Sequence, residues 1–365
     1  MSPAAHPTPL NVRSILPPVL FLLLAAGAHA APRVWNVTDS ATLAAAIAGS
    51  ASGDEIVLAH NAKPYNGPIA LKESQKLTGA AGDPAPVVTA NDDVVITIAA
   101  GATIRNVAVT GNGKAAGIRV TGGNVTIDHC SFRDNAGAID VAVNENATVT
   151  VTSSRFQHNG SAIAISAIAK SKVRASLSKN TIDETSASAI SLFSGATSDL
   201  SATIADNRIS GAVCGGGCDG IRITANGGST LTAAVRDNVI NGADESAIRA
   251  LAGAGSASMA LTIEGNTINA PGTAGHAIYV SSGVTKNDTS RLCAKIARNR
   301  LGDAPVRLLR GAPAATLALD PQRRFTTTNA AEAAVAAANG GASVKAAMRN
   351  GATSEFAAAT CKLPE

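Results

Sequence analysis

The chain has 365 residues, of which 45% are apolar but only 2% aromatic, and its formal net charge is +4. A charge this small over so long a chain does not indicate a nucleic-acid partner. The scarcity of aromatic residues argues against a broad aromatic platform for sugars and suits a narrow interior filled by small aliphatic side chains. One domain can reach this length if it is built from repeats, because a solenoid grows without a second core.

Residues 1–30 have the pattern of a secretory signal peptide. Arg13 supplies the positive charge, an apolar run extends from Val19 to Ala26, and Ala28-His29-Ala30 is typical of a cleavage site. The apolar run is too short to be a membrane anchor. We therefore expect a secreted or periplasmic protein with no membrane span after cleavage of the signal.

Residues 31–68 predict an N-terminal cap and a first, irregular coil. Residues 38–48 have the pattern of a short helix behind an Asp or Ser cap. A helix at this position would cover the exposed edge of the first coil, which would otherwise invite pairing with another chain. We expect the protein to be a monomer.

A repeated unit occupies residues 69–311, with weaker patterning before residue 112. In one half of the unit a small residue precedes a short strand, and the first apolar residue of that strand recurs at Ile118, Ile139, Ile163, Ile190, Ile221, Ile248, Ile278 and Val306. These anchors lie 21, 24, 27, 31, 27, 30 and 28 residues apart, the spacing of a repeat architecture. Each repeat holds three runs with apolar residues two apart, separated by turn residues and with no room for a crossover helix. The sequence predicts an all-β solenoid, a parallel β-helix with three strands per coil.

The other half of the unit is a polar residue two positions before an apolar one. Asn fills the polar position at 180, 207, 238, 266 and 299, with Cys130 and Ser154 at the same place upstream. We expect the stacked Asn side chains to bond one another's backbones, which is a structural role. The apolar partners should form an inward ladder of Phe132, Phe156, Ile182, Ile209, Ile240, Ile268 and Leu301.

Residues 312–365 predict a C-terminal helical cap and tail. Two Ala-rich segments, residues 329–338 and 343–349, each end at an Asn-Gly pair and are interpreted as short helices.

All five Cys residues follow the predicted signal. Cys214 and Cys218 flank three glycines, and we expect them to form a disulfide rather than a metal site, because no partner pair or His cluster accompanies them. Cys293 and Cys361 could form a second disulfide, and Cys130 is expected to be a buried thiol. No metal and no cofactor are predicted.

The Asn-x-Ile and Gly-Ile-x-Val units, over roughly residues 40–310, resemble the pectin-lyase-like superfamily of right-handed parallel β-helices, as does the leading segment 43–58. That resemblance implies a right-handed coil. The superfamily includes polygalacturonases, several polysaccharide lyases, phage tailspikes and proteins without known activity, so it implies a fold rather than a function.

The middle residue of each Ile-x-Val strand should point outward. Across the coils this outward row is Arg119, Asp140, Ala164, Ser191, Arg222, Arg249, Tyr279 and Arg307. Because neighbouring coils lie about 4.8 Å apart, the arginines around Tyr279 could hold a chain of uronic acids or other anionic sugars. The alternative is a solvated face whose long side chains lean on their neighbours.

Titratable residues occupy the position two before the anchor in two of the coils. These are Asp219 and His276, and Asp244 and Glu245 lie just outside that position in the coil between them. The stretches CDGI, DESAI, GHAI and VRLL are similar to polygalacturonase motifs. The resemblance implies that Asp219 is the general acid and Glu245 or Asp244 the base. His276 would orient them, and Arg307 would hold the substrate carboxylate.

Five residues depart from the polygalacturonase pattern: Gly217, Cys218, Ser246, Ala277 and Leu309. Asp before Gly-Ile is also ordinary turn chemistry. An inverting glycosidase needs two carboxyl groups about 6.5–9.5 Å apart, which neighbouring coils can provide.

Three functions therefore stay open. The first is binding and hydrolysis of an acidic extracellular or cell-wall polysaccharide. The second is a polysaccharide lyase, which would use Arg222 or Arg249 as base beside Ca²⁺, although no dense acidic cluster accompanies these arginines. The third is a non-catalytic surface or adhesion module. A groove walled by the 211–218 and 281–292 loops would favour an enzyme, and a smooth face with its polar residues engaged in turns would favour the module.

Overall fold

A computed structural model describes residues 31–91, 93–269, 275–320, 327–349 and 363–364. The predicted signal, residues 1–30, lies outside the described residues. The chain passes through three β-sheets in turn, which we call A, B and C, and then returns to sheet A one coil further on. Strands are numbered in chain order.

Sheet A has 12 strands within the described residues. They are β1 (Val34–Val37), β2 (Glu55–Leu58), β5 (Lys76–Gly79), β8 (Thr103–Arg105), β11 (Val125–Asp128), β14 (Ala147–Thr152), β17 (Lys172–Ser178), β20 (Asp199–Ala205), β23 (Thr230–Arg236), β26 (Ser258–Glu264), β29 (Arg291–Ala297) and β31 (Thr316–Leu319).

Sheet B has nine strands in the same described part of the chain. They are β3 (Tyr65–Asn66), β6 (Val87–Thr89), β9 (Ala108–Thr110), β12 (Ser131–Arg133), β15 (Arg155–Asn159), β18 (Thr181–Thr185), β21 (Arg208–Ala212), β24 (Val239–Ala243) and β27 (Thr267–Asn269).

Sheet C has 11 strands among the residues described. They are β4 (Ile69–Leu71), β7 (Val94–Ile98), β10 (Ala116–Val120), β13 (Ile139–Val143), β16 (Ile163–Ala167), β19 (Ile190–Ser194), β22 (Asp219–Gly227), β25 (Ser246–Gly255), β28 (His276–Ser282), β30 (Val306–Arg310) and β32 (Val344–Met348).

Neighbouring strands pair in parallel in all three sheets, so the predicted parallel β-helix with three strands per coil is confirmed. The anchors of sheet C are in register from Ile118 to Val306. In sheet B the residues from Phe132 to Ile268 form one buried ladder, and the rings of Phe132 and Phe156 stack with centroids 4.9 Å apart. These ladders form a continuous apolar core that a single coil could not bury.

The Asn residues at the turn between sheets A and B form a hydrogen-bonded ladder. The Asn207 backbone N–H and Nδ2 both donate to Asn238 Oδ1, at 2.9 and 3.0 Å, and Asn238 donates in the same way to Asn266. Left-handed backbone falls on the residue before each Asn, as at Asp206 and Asp237. The amides satisfy backbone groups that the turn would otherwise bury unpaired, which confirms the predicted structural role.

A helix packs at each end of the solenoid. The N-terminal helix α1 (Ser40–Gly49) begins behind Asp39, whose side chain accepts from the Thr42 N–H in a capping box. At the other end, α2 (Thr328–Ala338) begins behind Thr327. The helices predicted over residues 38–48 and 329–338 are both present.

The second C-terminal helix, predicted over residues 343–349, is wrong. This segment is strand β32, which pairs in parallel with β30 and places Lys345 beside Arg307. Seven Ala-rich residues are too short to form a stable helix alone. Pairing with the open edge of sheet C supplies the backbone hydrogen bonds instead.

The cysteines follow the sequence expectation where the structure describes them. Cys214 and Cys218 form a disulfide, and Cys130 is a buried free thiol. Cys293 is disulfide-bonded, and its expected partner Cys361 lies outside the described residues. In the described part of the chain, no helix is long and apolar enough to cross a membrane.

Candidate functional site

The outward face of sheet C carries the predicted row of side chains in line. Pairing across the strands aligns Arg222, Arg249, Tyr279 and Arg307, and β32 adds Lys345. We call Arg222, Arg249, Arg307 and Lys345 the cationic row. The sequence pattern did not place Lys345 in this row, because residues 343–349 were predicted to be a helix.

Asp219 lies at the start of β22, beneath this row, and its side chain is fully buried. Arg222 Nη1 lies 4.0 Å from Asp219 Oδ2, too far for a hydrogen bond. Burial raises the pKa of Asp219 to about 7, because losing water disfavours the charged carboxylate. Arg249 and Arg222 lower this pKa and Glu245 raises it. Burial thus favours the protonated form of Asp219.

Ser246 and His276 follow Asp219 in register on the next two strands. Ser246 is fully buried, so a hydroxyl, not a second carboxylate, lies beside Asp219. The nearest alternative base is Glu245, one residue earlier, whose negative charge acts on Asp219.

Glu245, Arg249, Tyr279, His276 and Arg307 form one connected cluster. Arg249 Nη1 pairs with Glu245 Oε1, and its guanidinium lies 5.1 Å from the centre of the Tyr279 ring. Arg307 lies on the same ring at 5.8 Å, and the His276 ring meets it edge-on at 5.5 Å. Burial lowers the pKa of His276; the positive charges of Arg307 and Arg249 lower it further, while Glu245 raises it. The lowered pKa favours the neutral form of His276.

Buried polar atoms without a hydrogen-bond partner are concentrated in this cluster and in Asp219 and Ser246 beside it. Among the described residues, nine buried side-chain N or O atoms have no hydrogen-bond partner, and five of the nine belong to four residues here: Asp219 (both oxygens), Ser246, Arg249 and His276. A fold normally satisfies such groups, and a local concentration of exceptions calls for a functional explanation.

Asp244, the other predicted carboxylate, has a structural partner. Its Oδ2 accepts backbone N–H groups from Cys214, Gly215 and Gly216, at 2.6, 2.9 and 3.2 Å. These bonds hold the loop that the Cys214–Cys218 disulfide closes. Asp244 is therefore placed to shape the site rather than to activate water.

Two loops flank sheet C at opposite strand ends. Residues 213–218 lead into β22, and residues 283–290 follow β28. In the second loop Asp288 is buried and accepts N–H groups from Thr285 and from Gly255 of β25, at 2.8 and 3.0 Å. Burial raises the pKa of Asp288, but hydrogen bonds, above all from Thr285, outweigh this and lower it to about 2. Each of the two loops is thus held in place by a carboxylate.

A cleft of about 380 Å³ opens at the C-terminal end of the cationic row. It is lined by His276, Pro305, Arg307, Lys345, Ala346 and Ala347. A second outward row, two residues along each strand, adds the half-buried Phe193 and Leu251 beside the arginines. The period of two along each strand is the sequence signal that indicates this second row.

One protein-family model matches part of the chain. Residues 88–226 match the family model described as "Right handed beta helix region". The three parallel sheets extend the same architecture beyond both ends of the matched segment.

Other comparisons add little. No curated protein sequence matches the chain. Among solved structures, the crystal structure of pectate lyase Pel9A is similar at 14% identity and a TM-score of 0.42, over 74% of this chain and 77% of that one.

Proposed function

We propose that this protein is secreted, binds an anionic polysaccharide along the outward face of sheet C, and hydrolyses it at Asp219. The observation that carries this proposal is a fully buried carboxyl with a pKa of about 7 beside a row of cations. The disulfide is consistent with an extracellular location.

The binding face is the cationic row. From Arg222 to Lys345 it covers four coil steps, about 19 Å at ~4.8 Å per step. Arg307 and Lys345 have no acidic partner among the described residues, so their charges are free to meet carboxylates or sulfates. Phe193 and Leu251 offer apolar surface beside the Arg222 end of the cationic row. This surface can contact the C–H faces of sugar rings.

Cleavage would follow the inverting route with two carboxyl groups. Asp219, protonated, donates its proton to the glycosidic oxygen as the bond from that oxygen to the anomeric carbon breaks. Glu245 takes a proton from a water molecule, whose oxygen bonds to the anomeric carbon from the opposite side. His276 meets the Tyr279 ring edge-on and positions it. Afterwards Glu245 releases its proton to solvent and Asp219 regains a proton from solvent.

A non-catalytic binding module is the second candidate. Two observations favour it: the side chain of Asp219 is fully buried, and Asp244 is committed to the loop. Such a module would use the same cationic row without cleaving the polymer. The lyase alternative has less support, because the described residues include no group of three His, Cys, Asp or Glu side chains placed to hold a metal ion.

The test measures reducing ends and ultraviolet-absorbing unsaturated ends released from acidic and neutral polysaccharides. Wild type is compared with Asp219→Asn and with Asp140→Asn, a control in the same outward row three coils upstream. We expect saturated reducing ends from wild type and the control and none from Asp219→Asn. Binding without any cleavage would establish the module, and unsaturated ends that persist in Asp219→Asn would establish a lyase.

A further inference from the structure

Arg249 is shared between two neighbours and still has unused hydrogen-bond donors. Glu245 pairs with its Nη1, Tyr279 supports its guanidinium face, and its buried Nε has no partner. The Arg249 side chain is 19% exposed and that of Glu245 is 39% exposed. A pair this close to water contributes little to stability, so a ligand anion can compete for the guanidinium.

The same pair lies over the proposed acid. Asp219 has no exposed surface, and the charges that act on it are Glu245 and Arg249 from the next coil and Arg222 from its own strand. In the structure, therefore, Asp219 is inaccessible to a substrate and Glu245 is ion-paired with Arg249. Neither group can act until that arrangement changes.

We propose that Arg249 is the specificity-determining residue: a sugar carboxylate or sulfate takes Arg249 from Glu245, which frees Glu245 and opens Asp219. This inference rests on the proposed function. Guanidinium binds a planar carboxylate through two parallel N–H donors, and Glu245 holds Nη1, one of the two donors at the outer edge of the Arg249 guanidinium. A neutral polymer leaves the Arg249–Glu245 pair intact, so it can lie on the face without being cleaved.

The pair makes an unusual prediction about binding. Since Glu245 competes with the ligand for Arg249, Glu245→Gln should bind an anionic oligosaccharide more tightly than wild type. From the strength of exposed ion pairs, the gain should be about two- to fivefold in Kd. The methyl ester of the same oligosaccharide, which has no charge to offer Arg249, should show no gain.

A double-mutant cycle separates this competition from a general charge effect. Calorimetry with a short oligogalacturonate and its methyl ester would compare wild type, Glu245→Gln, Arg249→Gln and the double variant. We expect the gain from Glu245→Gln to vanish in the Arg249→Gln background. Arg119→Gln is the matched control, because Arg119 lies in the same outward row but pairs with Asp93, remote from the site.

Each outcome has a distinct meaning. A gain that persists without Arg249 is a through-space charge effect and overturns the inference, as does the absence of any gain. If wild type binds the oligogalacturonate but shows no coupling, only the inference fails. If wild type binds neither oligomer, the proposed function itself falls for this class of sugar.

Discussion

The proposed acid makes a quantitative prediction about stability. The folded pKa of Asp219 is about 7, against an ordinary value of 3.8. Below about pH 4 the carboxyl is protonated in both the folded and the unfolded chain. Between about pH 4 and 7 only the unfolded chain loses the proton, so the stability of wild type falls as pH rises. A shift of about three units corresponds to at most about 4 kcal/mol.

Asp219→Asn removes the titration while keeping the shape. Relative to wild type, it should gain up to about 4 kcal/mol in unfolding free energy between pH 4 and pH 8. Urea unfolding followed by circular dichroism at pH 4, 6 and 8 would measure this, with Asp140→Asn as control. A difference between wild type and Asp219→Asn that is flat across this range would refute the burial argument.

Three further predictions concern the 283–290 loop, the Asn ladder and the cationic row. Asp288→Asn should lower the free energy of unfolding by about 2 kcal/mol at pH 7. This loss should shrink as the pH falls toward 2, because Asp288 itself becomes protonated there; urea unfolding at both pH values tests this. Asn238→Ala should cost about 3 kcal/mol in urea unfolding, because the Asn207 N–H is left buried and unpaired, whereas the exposed Asn269→Ala should cost under about 0.5 kcal/mol. Lys345→Met should weaken calorimetric binding of an anionic oligosaccharide about three- to tenfold and leave a neutral one unchanged; equal loss for both would contradict the role of its charge.

Much of the fold could be predicted because its signals are local and repeated. The period of two fixed which side chains point inward, as at Phe132 and Ile209, and the repeat fixed which residues stack. The Asn ladder followed from the position of Asn in each unit. The strand at residues 344–348 did not, because Ala-rich composition favours helix locally and only the open edge of β30 favours a strand.

The sequence predicted where the candidate site lies, but not how its side chains are buried and paired. Sequence spacing placed Asp219, Glu245, His276 and the arginines on neighbouring coils. It did not show that Asp244 caps the 213–218 loop, because that depends on where one rotamer points. Nor did it show the Arg249–Glu245 pair.

The sequence by itself determined the three-strand coil, the inward ladders, the stacked Asn turns, the disulfide loop and the outward row of arginines. All of these depend on periodicity along the chain, which residue types and spacing record directly. Tertiary structure alone decided that Asp219 is buried without a partner, that Glu245 is held by Arg249, and that Lys345 extends the cationic row. The reason is physical: burial, charge pairing and pKa depend on side chains from different coils, about 30 residues apart in sequence and one ~4.8 Å step apart in space.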